Sequence, residues 1–385
     1  MKKIAFILIL IFLCWSSIII GYASEQGGMK NENELDELEK QMQTYDFSEV
    51  DSFLQENTEK HINFMDVWKM LLKNDTEEQS KQVFIYLKKH VCSEIWIQKN
   101  MFIKITVIAI ISAIFSTFAF SFKNQQLNQT AFFVTYLFLA VSLMQTYRIM
   151  EGIAHDLFEK ICEFMMAFLP AFSIALGVSS GSNTAIGIYG IVIYAISCIE
   201  FAILKIILPL IAFYVVLSIL NCMTKEDLFS RAVQLLETVI RWANKTVFAT
   251  IIGLNIIKNM MLPSIDYMRN SMAQKILSVI PGVGDGLDGV SGIMLGTSRI
   301  IKNTMGTAAL FILILLCFIP ILKIMISTFL YQCLAAILQP ITDKRIQTAI
   351  HCIFSSGKLL LESMIMVVLL FIIAIAIACV ATNLT

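Results

Sequence analysis

The chain has 385 residues, 57% of them hydrophobic and 15% charged, and its 29 basic and 29 acidic side chains cancel. That composition excludes a soluble globular domain of ordinary make-up, and the charge balance supplies no global field to attract nucleic acid. A bilayer crossing needs about 20 apolar residues, and the apolar runs that recur beyond residue 101 predict an integral membrane protein.

The first element is a secretory signal at 1–23. Lys2-Lys3 supplies its positive start, Ile4 to Ile20 its apolar run, and Gly21-Tyr22-Ala23 the small residues at the cleavage positions. It is either cleaved after Ala23 or retained as an anchor. Cys14 follows bulky Leu13 inside the run, which does not suit a lipoprotein site.

Residues 24–100 then read as a small, acidic, extracytoplasmic helical domain. Leu35, Leu38 and Met42 recur at helical spacing, and so do Phe64, Val67, Trp68, Leu71 and Leu72 in a stronger amphipathic helix. A third stretch, from Ser80 to Lys99, leads to the membrane. About 75 residues bury only a modest core, with Trp68 expected at its centre. The domain is either a cap on the membrane surface or a docking module for a partner. Cys92 is its one cysteine after the signal, so no disulfide framework exists there.

Residues 101–385 form the multi-span domain, with seven to nine crossings expected. The apolar runs are Ile103–Phe122, Ala131–Tyr147, Ile161–Val178, Thr184–Leu204, Ile206–Cys222, Val247–Met261, Met305–Leu322, Ile324–Leu338 and Leu359–Val380. The stretch Ile186 to Cys222 exceeds one crossing at about 1.5 Å per residue, so a hairpin is expected near Glu200, Lys205 or Pro209. Lys225, Arg231, Arg241 and Lys245 place the loop after Met223 in the cytoplasm. Lys344, Arg345 and Lys358 should also prefer the cytoplasm, yet a full crossing at Ile324–Leu338 puts them outside. Either that segment is re-entrant or the charge rule fails there.

A duplication is suggested in this half. Pro170 and Pro209 are 39 residues apart, as are Pro281 and Pro320, and the offset between the pairs is 111. The same offset lays Ser180-Gly181 on Ser291-Gly292 and Cys222 on Cys333, giving a repeat of 130–222 with 241–333. Two similarly built half-units are common in transporter and channel folds. After the first proline of each copy the sequence turns irregular, through Gly177 to Asn183 and through Pro281 to Gly289. Glycine-rich backbone cannot face lipid without partners for its amides, so both are read as loops or as the lining of a wet cavity.

Gly282-Val283-Gly284-Asp285 matches the GxGD string of intramembrane aspartyl proteases, but that chemistry pairs two carboxylates from adjacent spans, and none of the spans above contains an aspartate. No HExxH, GxxxxGK[ST] or GxSxG string occurs, and His61, His90, His155 and His351 are isolated in sequence, so no metal, cofactor or catalytic residue is expected. Charges in the apolar half are functional candidates or snorkelling residues: Glu200, Lys205, Lys323, Glu163, Glu362 and Lys104. The candidate structural or pore positions are Pro170, Gly177, Gly181, Glu200, Lys205, Pro209, Pro281, Gly282, Gly284, Gly286, Pro320 and Lys323.

The order of elements and several strings carry a resemblance over nearly the whole chain. They are Phe168-Leu169-Pro170, Ile206 to Leu210, Ile280 to Gly284, Leu295 to Gly306 with its Lys302-Asn303-Thr304-Met305-Gly306 stretch, Phe318 to Lys323, and Leu334 to Pro340. Together they resemble the stage III sporulation protein AE family of endospore-forming Firmicutes. The resemblance implies a non-catalytic, multi-pass subunit in the mother-cell membrane around the forespore. It implies as partners the other stage III A proteins and a forespore membrane partner, in a channel supporting late forespore gene expression and forespore integrity. An autonomous secondary transporter is the alternative. It should retain buried charges for ion coupling, and few are evident in this chain.

Overall fold

Apolar side chains at helical spacing, with glycine and proline too sparse to stop them, build helices of unusual length. The computed structural model describes residues 40–57, 63–72, 125–180, 182–223, 228–277, 284–340 and 342–381, with isolated residues between 99 and 114. Every regular element among them is helical. The elements are α1 (Ser48–Asn57), α2 (Phe64–Leu72), α3 (Gln125–Ser180), α4 (Ser182–Ile199), a π-helical segment (Glu200–Ile207), α5 (Leu208–Met223), α6 (Ser230–Leu277), α7 (Gly284–Leu338) and α8 (Lys344–Ala381). The signal segment, the stretch Ser80 to Lys99 except Lys99 itself, and most of the run Ile103–Phe122 lie outside the described residues.

Several of the remaining apolar runs share a helix, whereas Val247–Met261 and Leu359–Val380 each lie in a helix of their own. Ala131–Tyr147 and Ile161–Val178 are both parts of the 56-residue α3. Met305–Leu322 and Ile324–Leu338 share the 55-residue α7. Among the described residues, four stretches are long and apolar enough to cross a membrane: Phe132–Ser179, Ala185–Met223, Ile300–Leu338 and Lys344–Ala376.

The expected hairpin near Glu200, Lys205 or Pro209 is replaced by a continuous helix. Proline lacks the N–H that an α-helix needs and its ring crowds the preceding turn. Here the turn before Pro209 widens to the π form, in which Leu208 N–H reaches back to Ile203 O. A π-bulge of this kind carries the chain through without reversing it. Pro170 and Pro320 likewise sit inside helices. Helix boundaries do not follow the 111-residue offset: Ser180 ends α3, whereas Ser291 lies inside α7.

The long helices alternate in direction, and their register is fixed by specific contacts. At one end, Arg345 stacks on the ring of Phe132, 3.5 Å from its centroid. Tyr136 Oη donates to Ile219 O at the same end, and Phe229 N–H donates to Asn221 Oδ1 at 2.7 Å. Lower down, Thr146 and Tyr331 hydroxyls meet at 2.7 Å. At the far end Gly177 faces Ala185, where an added Cβ would sit 3.6 Å from the alanine Cβ. The loops after Met223 and Leu338 therefore lie at the same end. This removes the conflict over Lys344 and Arg345: two long helices, not three short spans, separate them from the loop that follows Met223. The most enclosed helix is α8, packed by α3, α5, α6 and α7; Leu359, Leu360, Met364 and Phe371 are wholly buried on it.

The N-terminal segment packs differently from expectation. Trp68 is 1% exposed, but not within a separate small core. Phe47 stacks on Phe64 at 4.6 Å, Phe64 meets Phe168 of α3 at 5.8 Å, and Phe53 meets Phe164 at 5.8 Å. With α1 on α3 and α2 on α7, one apolar cluster joins the segment to the bundle. Asp46 accepts the Ser48 N–H at 3.0 Å, capping the start of α1. Hydrogen bonds from the Ser48 backbone and side chain hold its carboxyl below the ordinary range.

Candidate functional site

Charged side chains of the bundle gather at mid-height. On α3, Arg148, Glu151, His155, Asp156, Glu159 and Lys160 separate its two apolar runs, and Glu163 lies at the start of the second. Gly357 of α8 marks the same level by its close approach to Thr328 and Met150; an added Cβ would lie 2.6 Å from Met150 Cε and would overlap Thr328 Oγ1. Lys358 and Glu362 follow on α8, and Lys323 lies little more than a helical turn from Thr328. Arg241 of α6 joins this level through Glu237, at 2.8 Å, and through Glu362. Beside them Asn244 Nδ2 donates to Ser363 Oγ at 2.8 Å in a buried contact. Charge in this bundle thus forms a belt between two apolar zones.

The candidates read from sequence are distributed along the molecule and do not converge on one point. Glu200 and Lys205 are exposed on the π segment, and no ion pair joins them among the described residues. Pro170 and Pro209 are exposed, while Gly177, Pro320 and Lys323 are half-buried. Gly181, Pro281 and Gly282 lie outside the described residues. Gly284 and Gly286 were expected in a loop or cavity lining but open the helical backbone of α7. Glycine costs a helix only about 1 kcal/mol relative to alanine.

Two features escaped sequence reading. Lys302 is completely buried, and its Nζ donates to Cys379 O at 3.3 Å, near the carbonyl end of α8, where a cation is favoured. One helical turn on, Gly306 packs so closely that an added Cβ would overlap Cys379 Sγ. The Lys302-to-Gly306 stretch is thus the docking seat of the α8 C-terminus. The signal was a lone lysine four residues before a glycine; its partner lies 77 residues away. The second is the Arg241–Glu362 pair; from sequence Glu362 reads as either a functional candidate or a snorkelling charge, with no partner named.

His155 is not isolated in space. Its side chain and those of Asp156 and Glu159 bring ligand atoms within 4.8 Å of one another, with His155 Nδ1 3.5 Å from Glu159 Oε2. All three are on the exposed surface, a setting in which such groups are common without an ion, and they assign no metal chemistry.

The profile of the stage III sporulation protein AE family matches residues 62–382. The chain belongs to that family. A family relative, the stage III sporulation protein AE of Bacillus subtilis (strain 168), is 23% identical over 266 residues, covering 69% of this chain and 67% of the relative. No solved structure matches the chain. For this member of the sporulation protein AE family, the match spans α2 and every described helix of the bundle, while α1 precedes it.

Proposed function

We propose that this chain is a non-catalytic membrane subunit of the mother-cell sporulation channel, the stage III A complex. In this role it links mother cell and forespore and supports late forespore gene expression and forespore integrity. The observation that carries the reading is family membership over residues 62–382. It is supported by the four membrane-capable helices and by the lack of any nucleotide-binding string in the sequence. The other stage III A proteins and a forespore membrane protein are its partners, and work driven by nucleotide hydrolysis falls to another subunit. Residues 24–100 sit outside the cytoplasm and the helical bundle sits in the mother-cell membrane around the forespore.

Deleting the gene tests this. Vegetative growth should be unchanged, while sporulation stops after engulfment and heat-resistant spores are lost. The tagged protein should co-purify with stage III A proteins from sporulating cells. Normal heat-resistant spore counts from the deletion strain would refute the reading.

A further inference from the structure

We infer that α6 carries a pairing surface for a second copy of this chain, and that the two α6 helices lie parallel and in register along it. Ala232, Leu235, Val239, Trp242, Thr246 and Ala249 follow one another at alternating spacings of three and four residues, and Gly253 continues the series. A repeat of that period is the narrow seam by which two helices wind about each other, whereas a helix packed on a core shows a broader stripe. The core-facing side of α6 is a different one. Ile240, Asn244 and Ile251 are buried, and at about 100° per residue they lie on the opposite side of the helix. The seam faces outward: Trp242 is 68% exposed, Leu235 63% and Val239 39%. A Cβ added at Gly253 would meet nothing within 4 Å. From Ala232 to Gly253 the seam runs for about 32 Å.

Neither lipid nor water suits this face. Arg231, Gln234, Thr238 and Lys245 are exposed along one edge of the seam. Beyond them the Arg241 and Glu237 side chains are 28% and 35% exposed. Charge in hydrocarbon is costly, so acyl chains do not cover this side of α6. Water would leave Leu235, Val239 and Trp242 bare as a contiguous apolar ridge. A second helix covers the ridge and leaves the polar edge free.

A copy of the same helix fits. Copies that cross one membrane in one sense are related by an axis along the membrane normal, which makes their α6 helices parallel. Val239 then meets the partner's Val239, and Trp242 the partner's Trp242. Across the flanks, Arg231, Thr238 and Lys245 stand opposite the partner's Leu236, the partner's Ala243 and the partner's Thr250, so no like charges oppose each other. The small residues Ala232, Thr246, Ala249 and Gly253, at the two ends of the seam, let the backbones approach.

This pairing does not depend on the process the protein serves. Full-length copies with a donor or an acceptor fluorophore on a C-terminal tag are mixed in liposomes, and energy transfer is followed against the protein-to-lipid ratio. Val239→Lys in both copies, or Val239→Glu in both, should weaken pairing by at least about tenfold. Thermal unfolding should be unchanged, because the side chain is exposed. Mixing Val239→Lys copies with Val239→Glu copies should restore pairing, since a parallel, in-register seam puts the two charges face to face. A photoreactive side chain in place of Leu235 should give adducts between copies that map to residues 232–253. One in place of Phe138, 66% exposed on α3, should give none there. Unchanged energy transfer in both charge variants, no recovery on mixing, or adducts from position 235 with only lipid or a different protein would each overturn the inference.

Discussion

The contact between Gly306 and Cys379 can be tested as a pair. An alanine at 306 would drive its Cβ into Cys379 Sγ, while the next neighbours, Ile375 Cγ2 and Phe172 Cε2, would each be 3.7 Å away, an ordinary contact. The collision is therefore with one atom, in a region where Cys379 is 6% exposed and Met305 wholly buried. Overpacking of a well-filled core costs about 1–3 kcal/mol, and Gly306→Ala alone should fall in that range. Cys379→Ala alone removes one buried atom, about 0.5–1.5 kcal/mol by analogy with a deleted methyl group. The Lys302 hydrogen bond goes to the Cys379 backbone carbonyl and survives the change. In the double variant the added Cβ occupies the space the sulfur left, so the two costs should not add. A favourable coupling of about 1–2 kcal/mol is expected, measured by equilibrium unfolding of the four proteins in nanodiscs. Additive costs would show that the helices do not meet at this atom, and the seat for α8 would have to be abandoned.

Other expectations follow from separate contacts. Trp68→Ala removes a wholly enclosed ring and should cost about 3–5 kcal/mol; limited proteolysis should then release residues 40–72 while the long helices stay intact. Gly357→Val should destabilise more than Gly152→Val when compared by thermal unfolding, because nothing lies within 4 Å of a Cβ at 152. Lys302→Glu puts a negative charge against the carbonyl end of α8 and should cost several kcal/mol, whereas Lys302→Met should cost much less; equal losses of folded yield would contradict the electrostatic account. Arg241 and Glu362 are 28% and 25% exposed, so with solvent screening either Arg241→Met or Glu362→Gln should cost only about 1 kcal/mol, read by the same unfolding assay.

Much of the architecture was legible because burying apolar surface dictates composition. The runs from Ala131, Ile206, Met305 and Leu359 were all located from hydropathy, and Phe64 to Leu72 from spacing. Their joining was not. The charged stretch Arg148 to Glu163 looks like a loop between two spans, yet residues such as Glu, Lys and Met are good helix formers and keep α3 unbroken across the belt. Pro209 looked like a turn because the local adjustment that absorbs it, one reach-back from Leu208 to Ile203, leaves no compositional trace. Trp68 was rightly placed in a core, but which core depended on Phe164 and Phe168, about 100 residues further on. The same distance hid Lys302: nothing near it in sequence shows that α8 ends beside it.

The π-helical segment carries a mechanical implication. Each residue of a helix turns the chain by about 100°, so a widened turn offsets the angular phase of Ser182–Ile199 relative to Leu208–Met223. Removing one residue between Glu200 and Ile207 would restore an unbroken α-helix of nearly the same height while swinging one half around its long axis. Ile186, Tyr189 and Ile193 would then point in new directions, and Val192, Ala195 and Ile196 would leave the core. The bulge at Glu200–Ile207 acts as a phase adjuster, letting a single rod present one face to its neighbours above the belt and a different one below.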